Sequence, residues 1–122
     1  HTPIDVGVFT DESVDYPDIA QLACETMLQN AYDVAILVCG TGIGISIAAN
    51  KIAGIRCALI HDTYTASMAA SHNHANAIAL GGRIEYTQTV ESILDSFFHT
   101  AQLGDRHNRR VEKISKLDIG RR

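Results

Sequence analysis

Cys39 is the first candidate for chemistry in this sequence, because its thiol precedes a glycine-rich loop. The stretch VCGTGIGISIAAN, residues 38–50, follows an apolar run and leads into a predicted helix. A thiolate just before a helix N-terminus is stabilised by the helix dipole and by free N–H groups, so its pKa falls. Glycines let such N–H groups approach an anion without interference from a Cβ. A base beside an oxyanion hole is what abstraction of a proton next to a carbonyl group requires.

Two other interpretations of the loop stay open at this point. The dinucleotide fingerprint requires G-x-G-x-x-G and an acidic residue about 20 positions further on. Gly40 and Gly42 fit, and Asp62 lies at a suitable distance, but Ile45 stands where the third glycine is needed. The phosphate-loop pattern fails, because no Gly-Lys-Ser/Thr follows. The alternative without chemistry is a tight turn with a buried cysteine, since most free cysteines are small core residues.

Polar side chains elsewhere in the chain complete a candidate site. SHNHAN places His72 and Asn73 at the end of a predicted helix, and GGR ends a predicted strand with Arg83. In GDRHNRRV, Arg106 and Arg110 are four residues apart and therefore share one helical face, which suits a phosphate group. With the thiol, these residues supply a base, a second proton-transfer group and an anion-binding group.

Short apolar runs that alternate with helical patterns predict the elements that position these residues. The alternation is typical of an α/β fold with a parallel sheet. Strands are predicted at 4–9, 34–39, 55–60 and 77–81. The first two helices are predicted to begin near Pro17 and within 43–46, and the third to span 63–71 with Asp62 or Thr63 as its N-cap. The last two are predicted over 90–98 and along the apolar stripe Val111, Ile114 and Leu117. Ligands of such sheets bind at the carboxyl ends of the strands. The glycine loop and Arg83 are both predicted to lie at that edge.

Length, composition and charge limit the classes of protein to consider. A chain of 122 residues with 46% hydrophobic content is predicted to form one domain, 1–122, in which 105–122 is a basic helix and tail. No apolar run reaches the roughly 18 to 20 residues of a membrane span. Three cysteines without paired spacing favour a reducing compartment, so a cytoplasmic location is predicted.

The charge is unevenly distributed. Residues 105–122 contain seven Lys/Arg and three Asp/Glu, a local charge of +4, so the net charge of −4 leaves −8 on the first 104 residues. The basic end suits an anionic ligand, whereas the acidic body and the absence of interleaved aromatic and basic residues disfavour nucleic acid.

Five segments of the chain together resemble one family. DESVDYPD, CGTGIGISIAANK, GIRCALIHDTYTA, HNHAN and RHNRRVEKI, in this order, are similar to ribose-5-phosphate isomerase type B, whose wider family includes galactose-6-phosphate isomerase subunits. The resemblance covers essentially the whole chain. It implies a Rossmann-like three-layer αβα sandwich, no metal or cofactor, and a homodimer, or a tetramer, whose active site draws residues from both subunits. The side chains of Val111, Ile114 and Leu117 are predicted to pack against the neighbouring subunit.

The implied reaction is the interconversion of ribose 5-phosphate and ribulose 5-phosphate through an enediolate. Galactose 6-phosphate or allose 6-phosphate is the alternative substrate within this class. A non-catalytic module that binds a sugar phosphate or a dinucleotide is the alternative from another class.

The resemblance also assigns roles to residues. Cys39 matches the general base, Thr41 the residue that helps proton transfer between the two oxygens, and His72 the group that assists ring opening. The residues implied to contact the substrate are Tyr16, Gly40, Gly42, Ile43, Gly44, Ser46, Asn73, Arg83, Arg106 and Arg110, with the backbone of 40–46 as anion hole and the arginines on the phosphate.

This sequence departs from the family pattern in two places. His74 stands where the family commonly has an acidic residue. The family also begins with a strand that ends in a Ser-Asp-His-type motif, which no residue of this sequence matches, and residues 4–9 correspond to its second strand. We therefore expect roughly 25 to 30 residues, about one βα unit, to precede His1 and to carry the Asp-His pair.

Overall fold

The structure is a computed structural model that describes residues 1–118; the end of the predicted basic tail, 119–122, lies outside the described residues. The elements are α1 (Tyr16–Asn30), β1 (Ala35–Cys39), α2 (Ile43–Ala49), β2 (Cys57–Leu59), α3 (Thr63–Ser71), β3 (Ala77–Gly81), α4 (Val90–His99) and α5 (Arg106–Leu117). No helix among the described residues is long and apolar enough to cross a membrane.

The three strands form one parallel sheet with β3 in the middle, in the order β1-β3-β2. Ala35 pairs with Ala77 at one end of β1, and Cys39 pairs with Gly81 at the other. All five residues of β3 are buried, as expected for a central strand that helices cover on both faces. Because parallel strands share one direction, the loops after β1 and β3 leave the sheet on the same side, at the carboxyl ends of the strands.

Helices pack on both faces of the sheet and make two separate cores. On one face, α1 and α2 pack through Ala20, Cys24 and Ile45 against Leu37 and Ala79, together with other small apolar residues. On the other face, residues of α3 and α4 pack against the alternate side chains of β3. The protein is therefore a Rossmann-like three-layer αβα sandwich, as the sequence predicted.

The predicted helices are confirmed, including the start of α3. The carboxylate of Asp62 accepts the Thr65 N–H at 2.7 Å, and the Thr65 side chain accepts the Asp62 N–H at 3.2 Å. This reciprocal pair is a capping box, which satisfies N–H groups that the first turn leaves free. Pro17 lies in the first turn of α1, as predicted.

Three of the predicted strands are confirmed, and the fourth is wrong. The strands predicted at 34–39, 55–60 and 77–81 are observed at 35–39, 57–59 and 77–81, but residues 4–9 form no strand. A strand is defined by its hydrogen-bonded neighbour, and within the described residues β1 pairs with β3 alone. A cavity of about 610 Å³, lined by 4–8 and 34–38 among others, separates the predicted strand from β1. A further strand from residues before His1 stays a prediction.

The apolar sequence of β1 predicts burial on both faces, and the structure buries only one. Leu37 is 2% exposed, whereas Ile36 and Val38, which point to the other face, are 46% and 56% exposed. Periodicity misses this difference because it reports hydrophobicity and not whether a neighbouring element is present to cover each face.

Candidate active site

Cys39 is the last residue of β1, and its side chain lies against the loop that leads into α2. The N–H of Gly42 donates to Sγ at 3.2 Å. Gly42 is the N-cap residue of α2, so the sulfur lies at the N-terminal end of this helix. The thiol is partly accessible, in contrast to the fully buried thiol of Cys24.

The backbone around Cys39 stabilises its thiolate. Partial burial by itself raises the pKa of the thiol, but N–H groups of the loop outweigh it and bring the pKa of Cys39 below its ordinary value. These N–H groups belong to Ile45, Gly42, Thr41 and Gly44. Several amides that point at one atom stabilise negative charge on it. The arrangement therefore favours a thiolate that can act as a base.

Alkylation by iodoacetamide is expected to reflect this lowered pKa. The thiolate is the reactive form, so the half-maximal rate at Cys39 should occur below about pH 8.5, the ordinary cysteine value. The other two cysteines serve as internal controls. Burial raises the pKa of Cys24 to about 11, with a smaller contribution from Glu25. Burial also raises the pKa of Cys57 to about 12, with a smaller contribution from Cys24. Mass spectrometry of the modified peptides measures each site. A midpoint for Cys39 above the ordinary value would contradict the described loop geometry.

Two glycines of the loop are required by geometry. Gly42 has φ = 81°, and a Cβ there would lie 2.9 Å from the backbone carbon of Leu80. At Gly44 a Cβ would lie 2.5 Å from Cζ of Tyr16. The ring of Tyr16, at the start of α1, therefore packs directly on the loop backbone, and the structure brings this predicted site residue next to the thiol loop.

Gly42→Ala is expected to lower the free energy of unfolding by about 1 to 3 kcal/mol, the cost of a non-glycine residue in a sparsely populated backbone region. Gly82→Ala is a matched control, because a Cβ at Gly82 would make ordinary contacts at 3.5 and 3.7 Å. The control should change stability by about 0.5 kcal/mol or less. Urea unfolding followed by circular dichroism measures both. Equal stability of the two variants would contradict the positive φ at Gly42.

Side chains within the loop bond to its own backbone. The Ile43 N–H donates to Oγ1 of Thr41 at 3.2 Å, and the buried Ser46 hydroxyl donates to the Ile43 carbonyl at 2.7 Å. Gly40 connects the strand to this turn. The loop residues that the sequence predicted as site residues therefore form one turn after Cys39, in which N–H groups of Thr41, Gly42 and Gly44 face the sulfur, and Thr41 is exposed.

Arg83 lies beside the same loop. The backbone N–H of Arg83 donates to the Gly40 carbonyl at 3.0 Å, and the backbone N–H of Gly82 donates to the Cys39 carbonyl at 2.7 Å. The arginine side chain passes over Gly40, with its Cδ 3.6 Å from where a Cβ would be. We call the residues of the thiol loop and those that pack on it, Tyr16, Cys39, Gly40, Thr41, Gly42, Ile43, Gly44, Ser46 and Arg83, the thiol cluster.

The other predicted site residues form a second group around His72. The rings of His72 and His107 stack with centroids 4.1 Å apart, and Arg106 and Arg110 are close enough to lower the pKa of His107. Asn73 follows His72 and is exposed. We call His72, Asn73, Arg106, His107 and Arg110 the histidine cluster.

The two clusters lie at opposite ends of the strands, the thiol cluster at the carboxyl ends and the histidine cluster at the amino ends. Cys39 pairs with Gly81 at the carboxyl end of β3, whereas α3 runs back from the carboxyl end of β2 and ends at His72, five residues before β3 begins at Ala77. The five residues of β3 span about 15 Å. One chain therefore brings Arg83 to the thiol but does not bring His72, Arg106 or Arg110 there.

The sequence analysis missed His107. It lies between the two predicted arginines and is 6% exposed, the one buried residue of α5. The signal that could have revealed this burial is helical spacing, because His107 lies four and seven residues before Val111 and Ile114 and therefore shares their face of α5. Its stacking partner comes from another helix end, which local pattern does not reveal.

The structure is an α/β sandwich with a cysteine of lowered thiol pKa at the carboxyl end of a parallel strand. Residues 1–114 match the family Ribose/Galactose Isomerase, and the chain belongs to this family. It is 38% identical over 115 residues to ribose-5-phosphate isomerase B of Escherichia coli (strain K12), a match that covers 94% of this chain and 77% of the relative. It is also 38% identical over 113 residues to galactose-6-phosphate isomerase subunit LacB of Clostridium acetobutylicum, covering 93% of this chain and 65% of the relative.

Solved structures agree with this family. Ribose-5-phosphate isomerase B of Clostridium thermocellum superposes with a TM-score of 0.90 at 42% identity, over 96% of this chain and 79% of that one. The enzyme of Mycoplasma genitalium, solved with bound ribulose-5-phosphate, superposes with a TM-score of 0.87 at 36% identity, over 95% of this chain and 78% of that one.

Proposed function

We propose that this chain interconverts ribose 5-phosphate and ribulose 5-phosphate, with Cys39 as the general base. Isomerisation of a sugar phosphate follows from membership of the family. The finer assignment rests on one observation, a partly accessible thiol whose pKa is lowered by the loop N–H groups. Relatives named ribose-5-phosphate isomerase B, one of them solved with ribulose-5-phosphate, support the pentose substrate.

In the proposed mechanism the Cys39 thiolate removes the proton from C2 of the open-chain aldose. The electron pair of that bond forms the C1=C2 double bond of an enediolate, and negative charge passes to the oxygen on C1. Thr41 is exposed, and its hydroxyl passes a proton from the oxygen on C2 to the oxygen on C1. The Cys39 thiol then returns its proton to C1, which leaves the carbonyl on C2 and restores the thiolate.

We further propose that the site is shared between two copies of the chain. Proton transfer needs the thiol cluster, whereas ring opening and phosphate binding need His72 and the arginines of the histidine cluster. Within one chain about 15 Å of sheet separates them, the length of five-residue β3. In a symmetric dimer each cluster of one chain can face the complementary cluster of the other. The apolar stripe of α5 fits this proposal, since Ile114 and Leu117 are 41% and 69% exposed.

The substrate assignment is tested with purified protein and three sugar phosphates. Conversion of ribose 5-phosphate, allose 6-phosphate and galactose 6-phosphate is followed by separating aldose from ketose. We expect kcat/KM for the pentose to exceed that for both hexoses by at least about tenfold, because HNHAN and RHNRRV resemble the pentose branch, and the galactose enzymes tend to lose that histidine and those arginines. Equal or faster turnover of a hexose phosphate would instead support the alternative to which the LacB relative points.

Arg106→Ala and Arg110→Ala are each expected to raise KM for the sugar phosphate by about 10- to 150-fold. This is the effect of losing one charge-assisted hydrogen bond, about 1.5 to 3 kcal/mol. Arg109→Ala is the matched control, an exposed arginine of the same helix outside the histidine cluster. Inorganic phosphate should inhibit the wild-type chain competitively. Unchanged KM in both variants would mean that this basic face is only solvated.

A further inference from the structure

His107 is a buried histidine whose ring lies flat on the ring of His72. The two rings are stacked with an interplanar angle of 16° and a centroid distance of 4.1 Å. His72 is the C-cap residue of α3, and its N–H donates to the Met68 carbonyl. The backbone of His72 is therefore fixed, while its imidazole remains half-buried at the surface and is free to turn about χ1 and χ2 unless a neighbour prevents it.

The segment before α5 holds His107 in place. The Leu103 N–H donates to the Ser71 carbonyl at 2.9 Å, and the Leu103 carbonyl lies 2.7 Å from Nε2 of His74. The His107 N–H then donates to the Gly104 carbonyl at 3.1 Å. These bonds fix the first turn of α5 against the end of α3. The backbone of His107 is thus anchored, and its buried ring stacks on that of His72.

We propose that His107 is a positioning residue, which holds the imidazole of His72 by stacking so that His72 meets the ring oxygen of the cyclic sugar phosphate. This inference rests on the proposed function, in which His72 assists opening of the furanose ring. Offset stacking between aromatic rings adds attraction beyond the effect of burial. An imidazole held in one orientation needs no reorganisation when it transfers a proton.

The surroundings of His107 favour the neutral form of its ring. Burial lowers its pKa, and nearby His72, Arg106, Arg110 and His74 lower it further. A neutral ring lets the stacked partner carry the transferred proton without repulsion between two cations.

The test separates ring opening from proton transfer. Turnover of ribose 5-phosphate requires both steps, whereas exchange of the C1 proton of open-chain ribulose 5-phosphate with D₂O requires proton transfer alone. His107→Ala is expected to lower kcat for ribose 5-phosphate by at least about fivefold and to leave the C1 exchange rate within about twofold, since the base is untouched. His107→Phe, which retains a stacking ring, should recover most of the turnover. His99→Ala, an exposed histidine of α4, should change neither rate.

Nuclear magnetic resonance of the His72 ring provides a readout that does not depend on activity. His107→Ala should remove the ring-current shift from the His72 imidazole protons, and His107→Phe should retain one. An equal fall in both rates, no fall in turnover, or an unchanged His72 spectrum in His107→Ala would each overturn the proposal. Failure of the proposed function is distinct, because the wild-type chain itself would then show neither turnover nor exchange.

Discussion

Replacing Cys39 with alanine is expected to lower kcat for ribose 5-phosphate by about 10² to 10⁴, the usual contribution of a general base. The affinity for the sugar phosphate should change little, because the sulfur interacts with the proton that is transferred, while the arginines bind the phosphate. The N–H groups that now face the thiolate, such as that of Gly42 at 3.2 Å, also remain in place. Steady-state kinetics and calorimetric titration with the sugar phosphate measure the two quantities separately.

The controls for this prediction are the other cysteines. Cys24→Ala and Cys57→Ala remove thiols whose pKa values are raised to about 11 and about 12, so neither should affect kcat beyond the effect of any lost stability. Turnover by Cys39→Ala within about threefold of wild type would exclude this cysteine as the base. Binding of the sugar phosphate without turnover in the wild-type chain would favour the non-catalytic module, and binding of NADH instead would favour the dinucleotide interpretation.

Mixing two inactive variants is expected to restore activity. Cys39→Ala removes the base from the thiol cluster, and His72→Ala removes the proton-transfer group from the histidine cluster at the other end of the strands. If each site combines the two clusters from different chains, a mixed dimer contains one intact site and one that lacks both groups. An equal mixture with free subunit exchange should therefore recover about a quarter of wild-type activity, since about half of the dimers are mixed.

Subunit exchange itself needs a control. Native mass spectrometry of one labelled and one unlabelled variant measures the fraction of mixed dimers. Cys39→Ala and Thr41→Ala are two changes in the same cluster, so no site in their mixed dimer regains the full thiol cluster. The activity of this mixture should therefore not exceed the summed activities of the two variants. Proven exchange without recovery in the first mixture would mean that each site is complete within one chain.

The helices and the middle of the sheet were predictable because their determinants are local. Asp62 and Thr65 cap α3 through neighbouring residues, and Val90 to Phe98 show the helical period directly in the sequence. The strand predicted at 4–9 was wrong because its apolar alternation does not reveal whether a strand lies beside it. Exposure of Ile36 and Val38 escaped prediction for the same reason.

The thiol cluster was largely predictable, because its loop residues are consecutive and the loop follows a strand. Arg83 also follows from the parallel sheet, in which Cys39 and Gly81 are paired. The separation of His72 from Cys39 could not be obtained from spacing, because it depends on the direction in which α3 crosses the sheet. The stack of His107 on His72 joins two segments 35 positions apart in the numbering, and no local pattern encodes such a contact.

The central claim is that this chain isomerises ribose 5-phosphate by moving a proton from C2 to C1 through Cys39. Proton nuclear magnetic resonance of the reaction in D₂O tests it most directly. Because Cys39 is only partly buried, the proton on its thiol should exchange with solvent while the enediolate is bound. Ribulose 5-phosphate should therefore form with deuterium at C1, and Cys39→Ala should form almost none. Labelled product formed at an undiminished rate by Cys39→Ala would contradict the account.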